Sequence, residues 1–349
     1  MEFKEAKSSS KGKKELYVKG IKALIDRKQT ESLKKRDEYA KGILKNPEKY
    51  RQELKNILGW PLTDNVSNQI PDVKSEKLFE KETYNIYRMS FEVLEDVWLT
   101  GILIKHDNKK RPLILAQHGA LGSPELISGF YGSTSNYNDF VERMLKYDVN
   151  IFAPQLLIWD EKEYEIEFCR ALLDSKLKRV GGSITAVEIF GLMRILDYFE
   201  NQDYVKNFGM AGLSYGGYYT MLMAAIDTRI KSAVSSSFFC SGNVLKEFCD
   251  IYFFDLGNKM SWAEIMMLVY PRQICLAIGD NDSGFPYKES IKEFNRLENL
   301  CKEVGNEWVD FIVFKGEHEF LKDDIPLERM TEHLKMIVKS TKIKQQNNF

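Results

Sequence analysis

Three side chains far apart in the sequence have the types that hydrolytic chemistry needs. Ser214 lies in Gly212-Leu213-Ser214-Tyr215-Gly216-Gly217, a G-x-S-x-G pattern. An aliphatic hydroxyl is too weak an acid to attack a carbonyl unaided, so it needs a base beside it. The chain has four histidines. His106 falls at a hairpin strand end beside Asp107 and Asn108, His118 precedes the serine, and His333 falls in a closing helix. His318 follows the serine on a loop after a strand, which makes it the expected base. A third group must accept the other imidazole N–H and stabilise the imidazolium that forms. Asp280 and Asp282 share the loop between serine and histidine. Asp282 is preferred because it lies further past its strand, with Asp280 as the alternative.

These residues need particular elements to hold them. Val205 to Leu213 reads as a buried strand, and an apolar helix follows from Tyr215. The serine then occupies a tight turn between them, with its hydroxyl projecting into a cleft. Strand and helix pass so close that glycine is required at 212 and 216. The Tyr215 amide opens the helix and points at the reacting carbonyl oxygen, where the helix dipole also helps. A second oxyanion donor is expected from Gly119 or Ala120, after the apolar run Pro112-Leu113-Ile114-Leu115-Ala116. His118, next to them, reads as a packing residue at the pocket rather than as a base.

The remaining pattern alternates strands and helices. Tyr87–Val93 and Val97–Ile104 form an antiparallel hairpin, and 149–154, 231–236, 272–278 and 308–314 read as further strands. Helices are expected at 16–45, 47–58, 136–146, 183–199, 290–304 and 326–339, with 156–178 irregular. This order implies an α/β fold: a mainly parallel sheet, helices on both faces, and an antiparallel hairpin at its N-terminal edge. In such sheets ligands bind beyond the strand ends, where all three chemical residues fall. The expected division is a helical extension over 1–83, its first dozen residues mobile, and a catalytic domain over 84–349. The extension either packs on that domain or makes an oligomer contact. Within the domain, 238–270 is a lid or pocket-lining insertion. Phe238, Phe239 and Trp262 there, together with Trp159, are candidate pocket residues, with core packing as the competing reading.

Composition narrows the partners. The chain has 349 residues, 44% hydrophobic and 12% aromatic, enough to fill a large core. A net charge of −1 gives no reason to expect nucleic acid or an anionic membrane. The five cysteines (169, 240, 249, 275 and 301) are scattered and contain no C-x-x-C, so buried free thiols in a reducing compartment are expected. No metal cluster or cofactor motif is visible. The N-terminus lacks an apolar signal region and no run approaches membrane-span length, so the expectation is a soluble cytoplasmic protein.

With these residues placed, the chain from about Tyr84 to Lys339 resembles the α/β-hydrolase superfamily, in which G-x-S-x-G is the nucleophile elbow. The order Ser214, Asp282, His318 is the superfamily's order. More narrowly, the chain resembles the dienelactone-hydrolase and acetyl-xylan-esterase-like branch. Gly279, Asp282 and Pro286 match its G-x-x-D-x-x-x-P segment, and Tyr270-Pro271-Arg272-Gln273 is similar to its strand entrance. The elbow also resembles that of prolyl-oligopeptidase-type peptidases, although no propeller precedes it. The loop at 153–160 departs from the superfamily's D-x-R-G, having Gln155-Leu156-Leu157-Ile158-Trp159. The resemblance implies a serine hydrolase acting on small-molecule carboxylic esters with short acyl groups, such as acetyl esters on a carbohydrate. A peptidase or amidase, and a non-catalytic binding protein on the same scaffold, are the competing readings.

Overall fold

Wholly apolar runs make strands buried on both faces, and alternating runs make half-exposed ones. The computed structural model of this protein describes residues 3–59, 70–133, 136–241 and 249–346, with the backbone alone at 249 and 338–346. Among them, nine strands form one sheet. In chain order they are β1 (Val73–Glu80), β2 (Asn85–Leu94), β3 (Val97–Lys105), β4 (Arg111–Gln117), β5 (Asn150–Pro154), β6 (Val205–Leu213), β7 (Ile230–Ser236), β8 (Gln273–Gly279) and β9 (Val309–Phe314). Their order across the sheet is β1-β2-β3-β5-β4-β6-β7-β8-β9. The first three strands and the β3–β5 pair run antiparallel, and from β5 to β9 every pair is parallel. The apolar residues of β4 and β5 are buried, as a strand covered on both faces requires, and Arg111, Gln117 and Asn150 at the strand ends are buried with them.

The helices are α1 (Lys11–Ala40), α2 (Pro47–Leu58), α3 (Pro124–Ile127), α4 (Phe140–Leu145), α5 (Glu161–Tyr164), α6 (Arg170–Lys178), α7 (Ile184–Glu200), α8 (Tyr215–Ile226), α9 (Leu256–Lys259), α10 (Trp262–Met267), α11 (Tyr287–Leu300) and α12 (Ile325–Gln346). They lie around the sheet and divide the apolar interior into two clusters. The larger includes Phe91, Phe152, Phe199 and the side chains of α8; the smaller includes Phe140, Val234, Phe320 and Leu334.

Helix α2 has a strong local specification. Asn46 accepts a hydrogen bond from the Lys49 amide, Pro47 fills the first turn, and Gly59 closes the helix at φ +97°. Arg51 then ties it to the rest of the protein, donating to the carbonyls of Ala225 (3.0 Å) and Leu268 (2.8 Å). Those carbonyls end α8 and α10, so the N-terminal helices are fastened to the helix that starts at Ser214.

Several elements depart from the pattern read in the sequence. Strand β1 is charged and mostly exposed, so it carries no apolar signal; it joins the sheet through backbone pairing with β2 alone. Residues 156–178 contain α5 and α6 because polar side chains hold them: Asp160 caps α5, and Arg170 and Lys178 anchor α6. The helix expected from 136 begins at Phe140, since Asn138 and Asp139 both take positive φ. At the N-terminus Met1 and Glu2 lie outside the described residues, and Lys7–Ser10 forms a 3-10 turn leading into α1. Cys240, Cys275 and Cys301 are buried free thiols, whereas Cys169 is exposed because it precedes α6 on the surface; the Cys249 side chain lies outside the described residues. No helix among the described residues is long and apolar enough to cross a membrane.

Candidate active site

Ser214 stands at the junction of β6 and α8 with φ +59° and ψ −122°, a conformation that ordinary side chains adopt only under constraint. The constraint is close backbone approach. A Cβ on Gly212 would lie 2.4 Å from the Gly216 carbonyl oxygen, and one on Gly216 would lie 2.2 Å from that of Gln117. Glycine at both positions lets strand, turn and helix cross at this distance. Two backbone bonds fix the turn: the Ser214 amide donates to Ser236 O (2.9 Å), and its carbonyl accepts from the Tyr218 amide (2.9 Å).

The loops after β8 and β9 carry the acid and the base. His318 Nδ1 lies 2.8 Å from Asp282 Oδ2. The other oxygen, Oδ1, accepts from the amides of Gly284 (2.9 Å) and Phe285 (3.0 Å). The Asp282 side chain is fully buried and the His318 side chain about one-third exposed (35%). A carboxylate fed by two amides is fixed as an acceptor, so Nδ1 carries the imidazole proton and Nε2 keeps its lone pair. Phe285 stacks on the imidazole at 5.3 Å with an interplanar angle of 12°, which fixes the ring plane. Asp280 does something different: its carboxylate accepts from the Gly316 amide at 3.1 Å and joins the two loops.

The base loop is also tied to the strand beside the elbow. Ser236 and Ser237 donate their hydroxyls to the Glu319 carbonyl at 3.1 and 3.0 Å. Ser236 therefore holds the Ser214 amide through its own carbonyl and the residue after His318 through its hydroxyl. No hydrogen bond joins Ser214 Oγ to His318 among the described residues. Nucleophile–base contacts are commonly long without substrate and tighten when it binds.

The third loop follows β4. A Cβ on Gly119 would come within 3.1 Å of Ser214 Cβ, so this loop passes directly beside the serine. The Gly119 amide donates to the Tyr137 hydroxyl at 2.8 Å, which removes it as an oxyanion donor. The Ala120 amide has no backbone partner among the described residues. His118 is completely buried. Its Nδ1 donates to Gly119 O (2.9 Å), and its Nε2 accepts from the Leu156 amide (3.2 Å) and Gln155 Nε2 (3.1 Å). Burial pulls its pKa down to about 4, so it is neutral at neutral pH. The expectation that it borders the pocket is corrected: it is a spacer binding the 118–120 loop to the 155–156 loop.

No protein-family model matches the sequence, and no curated protein is a significant match to it. Solved structures do match in three dimensions. A Bacteroides fragilis protein assigned as an acetyl xylan esterase is 15% identical over 88% of each chain, with a TM-score of 0.62. A glucuronoyl esterase from Solibacter usitatus is 13% identical over 83% of this chain and 93% of its own, with a TM-score of 0.61. Acetyl xylan esterase 1 from Thermoanaerobacterium is 14% identical over 82% of this chain and 98% of its own, with a TM-score of 0.51. The chain has the α/β-hydrolase fold.

In this α/β-hydrolase fold the aromatics expected to line a pocket have mostly another task. Phe238 and Phe239 are fully buried and Trp262 nearly so. Phe238 packs against Tyr218, Trp262 and Phe285 at centroid distances of 5.2, 5.5 and 5.0 Å. Phe238 backs Phe285, which supports the imidazole, and Phe239 packs on Phe311 at 6.1 Å; the pocket expectation for Phe238 and Phe239 is corrected accordingly. Trp262 also borders a cavity described below. Within 238–270, α10 is buried throughout, whereas α9 has no buried residue and Phe254 is almost fully exposed; residues 242–248 lie outside the described residues. Trp159 is half-buried against Phe168, and its Nε1 has no partner among the described residues. The neighbouring Ile158 carbonyl accepts from the Leu121 amide (2.6 Å), which places Trp159 beside the Ala120 loop.

A buried polar cluster behind the elbow was missed in the sequence. Arg170 donates to Asp250 (2.8 Å), Glu188 (3.0 Å) and the Tyr219 hydroxyl (2.7 Å), while the Tyr215 hydroxyl donates to Asp250 (2.6 Å). Burial alone would pull the Arg170 pKa down, but Glu188, Tyr219 and Asp250 push it up further, so the guanidinium stays charged. The cluster clamps the residue after the nucleophile to α6, α7 and the 249–251 turn. The only sequence signal was Glu188, an acid within the apolar run 184–192. Among the described residues no His, Cys, Asp and Glu side chains gather as a metal site.

Proposed function

We propose that the protein is a serine hydrolase of carboxylic esters. The observation that carries this reading is the Asp282–His318 pair, whose histidine loop Ser236 fastens to the Ser214 turn. In this reading Ser214 Oγ attacks the ester carbonyl carbon as His318 Nε2 takes its proton. The Tyr215 and Ala120 amides hold the oxyanion, and Asp282 stabilises the imidazolium. Collapse of the tetrahedral intermediate breaks the C–O bond, and the imidazolium returns the proton to the departing alcohol. Water, deprotonated by the same nitrogen, then cleaves the acyl-enzyme to the free acid and regenerates Ser214. The names of the structural neighbours support small ester substrates, acetyl esters of carbohydrates among them.

The test is turnover of p-nitrophenyl acetate by the wild type and by Ser214→Ala. Loss of a nucleophile that acts with a base is expected to lower kcat by at least about a thousandfold. Equal rates in the two proteins would remove Ser214 from the chemistry. A fluorophosphonate that labels the wild type but not Ser214→Ala separates catalysis from mere binding.

A further inference from the structure

A second cavity lies away from the catalytic residues. Its volume is about 560 Å³, within the usual range for small-molecule sites. Helices α1, α2, α8, α9 and α10 enclose it, and neither Ser214, Asp282 nor His318 lines it. Leu54, Leu222, Met260 and Ile265 form a dry interior, each no more than 2% exposed. Leu24 and Ile25 of α1 form part of the lining while 42% and 48% exposed, so the cavity opens along α1.

One charged group in this apolar wall is incompletely paired. Arg36 is 6% exposed and lines the cavity, yet its Nε has no hydrogen-bond partner among the described residues. Its one side-chain bond runs from NH1 to Glu264 Oε2 at 3.4 Å. Glu264 is already engaged: Oε1 accepts from Arg296 Nε at 2.7 Å, and Oε2 accepts from the Ser261 amide at 2.8 Å. Two guanidinium groups thus meet at one buried carboxylate, and Arg296 has Asp37 as a second partner at 2.9 Å, which Arg36 lacks among the described residues. Glu293, also buried nearby, accepts from the Ala263 amide, and burial pushes its carboxyl pKa up while Arg36 pulls it down. Asp255 and Lys28 also border the cavity, and each has its own partner, in Asn258 and Glu31. A buried guanidinium with unused donors is unfavourable unless an anion completes it.

We propose that this cavity binds an apolar monocarboxylate of the fatty-acid type, with its carboxylate on Arg36 and its chain among Leu54, Leu222, Met260 and Ile265. The guanidinium fork matches a carboxylate, and the dry walls suit an alkyl chain. The site is independent of the ester-hydrolase reading, because no residue assigned to that chemistry contributes to it.

Isothermal titration with decanoate and with decanol tests the proposal, using wild type, Ser214→Ala, Arg36→Met and Leu24→Trp. Decanoate is expected to bind wild type and Ser214→Ala alike, with one site per chain. Loss of a charge-assisted bond should weaken it at least about tenfold in Arg36→Met, and decanol should bind wild type at least about tenfold more weakly than decanoate. Leu24→Trp, at the part-exposed mouth, should block binding while leaving the urea unfolding midpoint unchanged. The proposal is overturned by absence of saturable decanoate binding, by equal affinity for acid and alcohol, or by unchanged binding in Leu24→Trp. Should Arg36→Met fail to fold, the Leu24→Trp and acid-against-alcohol comparisons decide alone. Ester turnover is measured separately in the same proteins, so failure of one reading leaves the other standing.

Discussion

Mild acid should destabilise this protein through His118. The ring is fully buried and donates from Nδ1 to a carbonyl, while Nε2 accepts from an amide N–H. A proton on Nε2 would face two donors, Leu156 N–H and the Gln155 amide, with no acceptor. Burial is the main cause of its lowered pKa, from 6.5 to about 4. The unfolded chain therefore binds the proton first as pH falls, so stability is fully present above pH 6.5 and is lost as pH falls towards 4. Linkage over that shift gives a loss of about 2 kcal/mol between pH 7 and pH 4.5. Carboxylates and His333 add their own pH dependence, so the comparison needs a variant that cannot titrate at 118. His118→Gln keeps an acceptor for the Leu156 amide and has no ionisable group. Urea unfolding of both proteins at pH 7 and pH 4.5 should show the wild type losing about 2 kcal/mol more than the variant across the interval. Identical pH dependence in the two would mean that His118 is not held neutral by the fold, and the loop-spacer account would fall.

Other expectations follow from the same geometry. Asp282→Asn keeps the shape but lets His318 take the wrong tautomer, so kcat on p-nitrophenyl acetate should fall by about 10⁴-fold while unfolding changes far less. Tyr137→Phe strands the buried Gly119 amide; urea unfolding should register a loss of about 1–3 kcal/mol, and turnover should fall as the oxyanion loop shifts. Gly216→Ala drives a Cβ to 2.2 Å from a backbone carbonyl oxygen, where no side chain can yield. It should lower stability by about 3 kcal/mol or more and abolish labelling by a fluorophosphonate, whereas normal labelling would contradict the close-approach argument.

Local chemistry made much of this molecule legible. The glycines around Ser214 announce a turn that other residues cannot make, and the apolar runs of β4 to β8 announce buried strands. Chain order and strand ends brought out His318 and Asp282, because loops after parallel strands collect at one edge. Elements held by polar contacts were not legible. Strand β1 has no apolar face, and α6 is anchored by Arg170 and Lys178 to groups 18 to 80 positions away. Periodicity reports burial against a core, and these elements have little to report.

The sequence by itself determined eight of the nine strands, the serine turn and the types of group at its rim, since each depends on neighbours within a few residues. Only the tertiary structure decided between Asp282 and Asp280 as the partner of His318, and withdrew the Gly119 amide in favour of Tyr137. It also moved Phe238 from pocket to support. Those outcomes depend on which donor meets which acceptor across 18 or 36 positions of chain, and on what is buried when they meet. Hydrogen bonds are satisfied in space, so residue type alone cannot say which partner is taken.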